Sequence, residues 1–196
     1  MPRGATEQDR PAEDLTTAIH EAGHAVAALA LGLPLVGATI ETYERGRLGY
    51  VEICDPRDYC WPGEVIVELV EASCTMLRAG GRAEWLLLGH RSRGDGIDRA
   101  EVRTLTRDTE GARRRADRLV RRNAGAIRRV AVALLVDHRL PAEAIEAICT
   151  DVPRLRRQDR ASQAAQRAAW LRMDRHWCGD RRRWELAMME EDDGDR

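Results

Sequence analysis

Apolar residues return every three or four positions at Leu15, Ile19, Ala22, Val26 and Leu29. That spacing predicts a helix from about Leu15 to Leu31, with Asp14 as its N-cap. Gly32 suits the C-terminal cap, and Pro34 prevents continuation. The period then changes. Val36–Tyr43 and Leu48–Ile53 are rich in β-branched residues and flank the turn-forming Glu44-Arg45-Gly46-Arg47, so a short antiparallel hairpin is expected. Asp55-Pro56 and Trp61-Pro62 mark a loop. Helical spacing resumes over Gly63–Ala79, with Ile66, Leu69, Ser73, Met76 and Leu77 facing inward. Gly80-Gly81 either interrupts this helix or lets another element approach closely, and the pattern continues through Arg82–Leu88 to stop at Gly89. His90–Gly96 is a polar loop. Asp98 opens a long helix marked by Val102, Leu105, Ala112, Ala116 and Leu119, broken or kinked at Gly125. Ile127–Val136 and Pro141–Ile148 form two more helices, Pro141 suiting a first turn.

The fold class expected is therefore mainly α with a small antiparallel β-hairpin. The chain divides into a polar, disordered arm over residues 1–13, a domain over 14–150, and a charged helical extension with an acidic tail over 151–196. The 196 residues suffice for one buried core, and with no Phe that core must come from Ala, Leu, Val and Ile. Every basic residue is Arg, which reads as coding bias rather than chemistry. A net charge of −1 argues against a chain-wide electrostatic nucleic-acid binder. Residues 99–130 do hold eleven Arg against four acids, the pattern of a solvated helix face. Cysteines 54, 60, 74, 149 and 178 are odd in number and form no Cys-x-x-Cys, so reduced thiols and a cytoplasmic location are expected. No apolar run approaches the ~18 residues of a membrane span.

Chemistry concentrates in the first helix. His20-Glu21-Ala22-Gly23-His24 has the H-E-x-x-H form. Residues i and i+4 share a helix face, so both imidazoles can reach one cation, and Glu21 can reach a water beside it. A hydrolytic zinc site needs a third protein ligand. A third His in the H-E-x-x-H-x-x-G-x-x-H form is absent, since Ala27 and Ala30 stand at the relevant positions. Glu44 falls in a hairpin turn. A distant Asp at a helix start after a Gly-containing loop is the remaining option; Asp98 fits that description and would be favoured by the helix dipole, and Asp95 is an alternative. Glu84 reads either as a partner of Arg82 or as an acceptor that orients a ligand His.

His20–Val26, Leu48-Gly49-Tyr50, Gly80-Gly81-Arg82-Ala83-Glu84 and Gly96-Ile97-Asp98, in that order, resemble the peptidase domain of the FtsH family of ATP-dependent zinc metalloproteases. Weaker matches at Leu119–Asn123 and Leu134–Ile148 extend the resemblance over residues 15–148. It implies a zincin-like helical metallopeptidase domain in which His20, His24 and Asp98 bind Zn2+ and Glu21 activates water. It also implies that the edge strand carrying Leu48, Gly49, Tyr50 and Val51 binds extended polypeptide by strand addition, and that the chain forms a homo-oligomer. The chain departs from the family in three ways. It has no G-x-x-x-x-G-K-[ST] phosphate loop and so no ATP site of its own, it has no membrane segment, and Arg99 follows Asp98 where the family has Leu. The resulting expectation is a zinc peptidase acting on unfolded or flexible polypeptides. A regulatory peptidase that clips one repressor-like partner, or an inactive peptidase fold used for binding, are the other readings.

Overall fold

The computed structural model describes residues 10–43, 47–53, 63–90, 92 and 95–154. These all lie in the first of two compact units, Met1–Leu155. The elements in chain order are α1 (Arg10–Leu31), β1 (Leu35–Tyr43), β2 (Arg47–Ile53), α2 (Gly63–Leu88), α3 (Asp95–Leu105), α4 (Thr109–Arg122), α5 (Ala124–Asp137), β3 (Arg139–Pro141) and α6 (Ala142–Ile148). The domain is mainly helical with a small antiparallel sheet, as the sequence pattern predicts.

α1 is the spine. It packs on α2, α5 and the sheet. Every residue from Ala18 to Ala30 is buried, so the helix is enclosed on all sides rather than along one stripe. Small residues make this possible. Ala22, Ala25, Ala27 and Ala28 have no exposed surface, and Ala79 and Ala83 of α2 are equally enclosed. A Cβ on Gly23 would lie 2.8 Å from Ala83 Cβ and 2.9 Å from the Ala79 carbonyl oxygen. Gly23→Ala is therefore expected to destabilise by about 1–3 kcal/mol through overpacking, although Ala is normally the better helix former. A denaturant midpoint at or above wild type would contradict this contact.

Three expected boundaries are corrected. α1 starts at Arg10, so Asp14 is inside the helix and residues 10–13 do not belong to a disordered arm. Pro11 is tolerated there because first-turn N–H groups have no helical partner. Leu15, near the N-terminal end of α1, is 40% exposed and does not join the buried stripe. The long helix expected from Asp98 is two helices. α3 begins at Asp95 and ends at Leu105, and Asp108 then caps α4 by accepting from Gly111 N at 2.8 Å. α2, in contrast, runs unbroken through Gly80-Gly81, and these glycines serve close approach. Gly32 ends α1 as expected, with φ 68° and Leu33 N donating to Ala28 O.

The sheet has the order β2-β1-β3, all antiparallel. β3 pairs Leu140 with Ala38 and is too short to show a period of its own. His138, with φ 59°, closes α5 and turns its carbonyl toward Ile40 N and Thr39 Oγ1 of β1. β2 is an edge strand among the described residues. Its pairing with β1 slips between Thr39 and Thr42, opposite Gly49, whose φ is +70°. No described helix is long and apolar enough to cross a membrane. The arm over 1–9, the hairpin turn at 44–46, the loop over 54–62 and the extension beyond 154 lie outside the described residues.

Candidate metal centre

His20 and His24 lie one turn apart on the face of α1 that meets α2. Their Nε2 atoms are 2.9 Å apart. Asp98, in the first turn of α3, brings Oδ2 to 3.0 Å from His20 Nε2 and 3.2 Å from His24 Nε2. All three residues are wholly or largely buried. Asp95, the alternative ligand, is drawn elsewhere. Its carboxylate packs against Gly81 and pairs with Arg78 at 3.6 Å.

The outer nitrogens fix the chemistry of the inner ones. His20 Nδ1 is 2.5 Å from Glu84 Oε1, and His24 Nδ1 is 2.8 Å from the Met76 carbonyl oxygen. A peptide carbonyl can only accept. Glu84 is held ionised, its pKa lowered despite burial by the His20 bond and by donation from Ser92 N and Ser92 Oγ. Both Nδ1 atoms therefore donate, so whenever the rings are neutral their lone pairs are on Nε2. Two such lone pairs and a carboxylate oxygen converging within 3.2 Å repel one another unless a proton or a metal cation joins them.

The protein's own ionisation reflects that demand. Burial opposes charge on His20, but its bonds to Asp98 and Glu84 and the fields of Glu21 and Asp98 outweigh it and push the pKa up to about 10. His24 is raised in the same way, burial again opposing and Asp98 prevailing. Asp98 is held well below the usual carboxylate range, burial being outweighed by the two imidazoles. Space is provided as well as charge. A Cβ on Gly80 would fall 2.4 Å from His24 Nε2 and 2.8 Å from His20 Nε2, so the glycine leaves a cradle beside both donor atoms. Donor set, locked tautomers and cradle fit a metal ion, and His20, His24 and Asp98 form a group that could hold one.

Glu21 is 5% exposed, and burial raises its pKa to about 7 against the lowering fields of His24 and His20. It points at β2, where a Cβ on Gly49 would lie 2.9 Å from Glu21 Oε1. Gly49 is thus brought to the centre. Val51, two residues on, packs on the hydrophobic core, and Tyr50 is half-buried beside Thr39 of β1. Leu48 lies in β2, but its side chain is outside what is described. Arg82 pairs with Asp117 of α4, which frees Glu84 for His20. Sequence reasoning missed Ser92 and the Met76 carbonyl. A loop serine and a backbone oxygen carry no pattern that could have revealed them. Among the Arg-rich residues, Arg113, Arg114 and Arg115 pair with Glu110, Asp117 and Asp108, in keeping with a solvated helix face.

A scan against models of known protein families finds no match, and a search of curated proteins finds none similar.

Proposed function

We propose that this chain is a zinc-dependent peptidase that hydrolyses peptide bonds in unfolded or flexible polypeptides. The observation that carries the reading is the meeting of His20 Nε2, His24 Nε2 and Asp98 Oδ2 with a second carboxylate, Glu21, buried beside them and outside the donor set. His20, His24 and Asp98 would hold zinc, since imidazole and carboxylate suit that ion. Bound there, zinc supplies Lewis-acid polarisation of water and of the scissile carbonyl. The remaining work belongs to the chain. Glu84 and the Met76 carbonyl keep the two rings in the orientation and tautomer that present Nε2. Glu21 takes the proton of the attacking water on its carboxylate and returns it to the leaving amine. An extended peptide added to the edge of β2 by main-chain hydrogen bonds would run past Gly49, which packs against Glu21. The ordered motifs of an FtsH-type peptidase domain support the same reading.

Protein expressed with added zinc is expected to carry stoichiometric metal by atomic emission and to cleave unfolded casein. A chelator such as 1,10-phenanthroline stops cleavage, and zinc restores it. Zinc-loaded protein that leaves casein and flexible peptides intact would sink the peptidase reading; failure to retain metal would sink the metal centre.

A further inference from the structure

Resting on that metal-centre reading, we propose that Asp95, held by Arg78 and seated on Gly81, is a positioning residue that sets Asp98 against the His20–His24 pair. Among the described residues α3 supplies the third donor, and it is a short helix with a largely exposed surface. Its buried residues are two, Asp95 and Val102. Val102 anchors the C-terminal half in an apolar cluster with Cys74 and Ala112. Asp95 anchors the N-terminal end. Positions 95, 98 and 102 fall on one helix face, so Asp98 stands between the two anchors and one turn from the first.

The Asp95 anchor is built from α2, the same helix that carries Gly80 and Glu84. Arg78 Nη1 lies 3.6 Å from Asp95 Oδ1, with both side chains at least nine-tenths buried. Gly81, one turn along α2 from Arg78, leaves room for the carboxylate, because a Cβ there would lie 2.1 Å from Asp95 Oδ1. Arg99 Nη1 is 3.8 Å from Asp95 Oδ2 but nearly half exposed, so it contributes little. A buried ion pair holds geometry firmly because breaking it strands a charge. The two carboxylates three residues apart thus divide the work. Asp95 spends its charge on α2, and Asp98 keeps its own for the centre.

The test uses the full chain and zinc itself. Zinc affinity is measured by competition with a chromophoric chelator, and Co2+ is substituted to read the intensity of its visible absorption, which reports coordination geometry. Wild type is expected to bind stoichiometric zinc. Asp95→Asn, which keeps size and removes charge, is expected to weaken zinc by about 10–100-fold, the range for residues that orient metal ligands, and to alter the Co2+ spectrum. Gly81→Ala is expected to do the same through displacement of Asp95. Arg78→Gln combined with Asp95→Asn is expected to cost no more than the larger single change, since both act through one contact. Wild-type affinity and an unchanged Co2+ spectrum in Asp95→Asn would overturn the proposal, including where its melting temperature alone has fallen. Wild type that binds no zinc would instead overturn the metal-centre reading, and this inference with it.

Discussion

Glu21→Gln is expected to lower peptide hydrolysis by about a hundred- to ten-thousand-fold, the usual contribution of a positioned general base, while leaving zinc bound. The amide keeps the shape of the carboxylate, so the packing against Gly49 survives. It cannot accept the proton. Glu21 is not among the three converging donors, so the metal content of the variant should equal that of wild type. Stability supplies an independent sign. The folded pKa of Glu21 is raised by burial to about 7, which means the fold disfavours the ionised form. That cost is fully present above the folded pKa and disappears as pH falls below the ordinary carboxylate value. Metal-free Glu21→Gln should therefore be more stable than metal-free wild type at pH 8, with the difference closing toward pH 4.5. Equal casein turnover in the two zinc-loaded proteins would remove Glu21 from the mechanism, and loss of zinc from the variant would make it a ligand.

Much of this centre was legible in the sequence because helical periodicity is local. His20, Glu21 and His24 occupy one turn, and their grouping on α1 needs no tertiary information. Gly80-Gly81 was legible in half. Two glycines inside an apolar helical pattern point to close approach, but what approaches is set by packing: the His pair at Gly80 and Asp95 at Gly81. The choice between Asp95 and Asp98 depends on where α3 begins. Its start at Asp95 puts both acids in the first turn, and Arg78, seventeen residues before Asp95 in the chain, decides which one turns away. The break between α3 and α4 was hidden because Val102, Leu105, Ala112 and Ala116 continue in helical register across it. The interruption is local, a side-chain cap from Asp108 to Gly111 N. β3 exists only through its pairing with β1, and three residues ending in Pro carry no strand signal.

The helix that carries the chemistry is also the helix around which the core closes, and this explains the composition of the site. A centre on a surface helix could surround its ligands with water. Here His20, Glu21, His24 and Glu84 are buried among alanines, so each polar atom must be matched within the protein or by the ion it holds. Glu84 takes three such contacts, from His20 Nδ1, Ser92 N and Ser92 Oγ, and its carboxylate has no exposed surface. Such a network resists substitution at any member, because each loss strands the remaining partners.

Asp98→Ala should remove both the metal and the charge that balances the metal-free imidazoles, and the two losses separate by pH. In metal-free wild type, Asp98 is the main reason that the His20 pKa rises to about 10. A histidine raised in this way stabilises the fold fully below its ordinary value near 6.5, and the contribution fades as pH climbs through about 10. The depressed pKa of Asp98 means that its share is present above the ordinary carboxylate range and is lost only in acid. The variant should therefore be most destabilised relative to wild type around pH 5–6, by an order of a few kcal/mol. It should converge with wild type as pH approaches 10. Zinc widens the difference at neutral pH. Free zinc at a hundred times its dissociation constant adds about 2.7 kcal/mol to a protein that binds it only when folded. Loss of a direct donor should cost more than the 10–100-fold typical of outer residues, so the same zinc concentration should leave the variant's denaturant midpoint almost unmoved. Full zinc protection of Asp98→Ala would show that the third donor is another residue. A destabilisation independent of pH between 5 and 10 would mean that Asp98 supports packing and does not balance the charge of the His20–His24 pair.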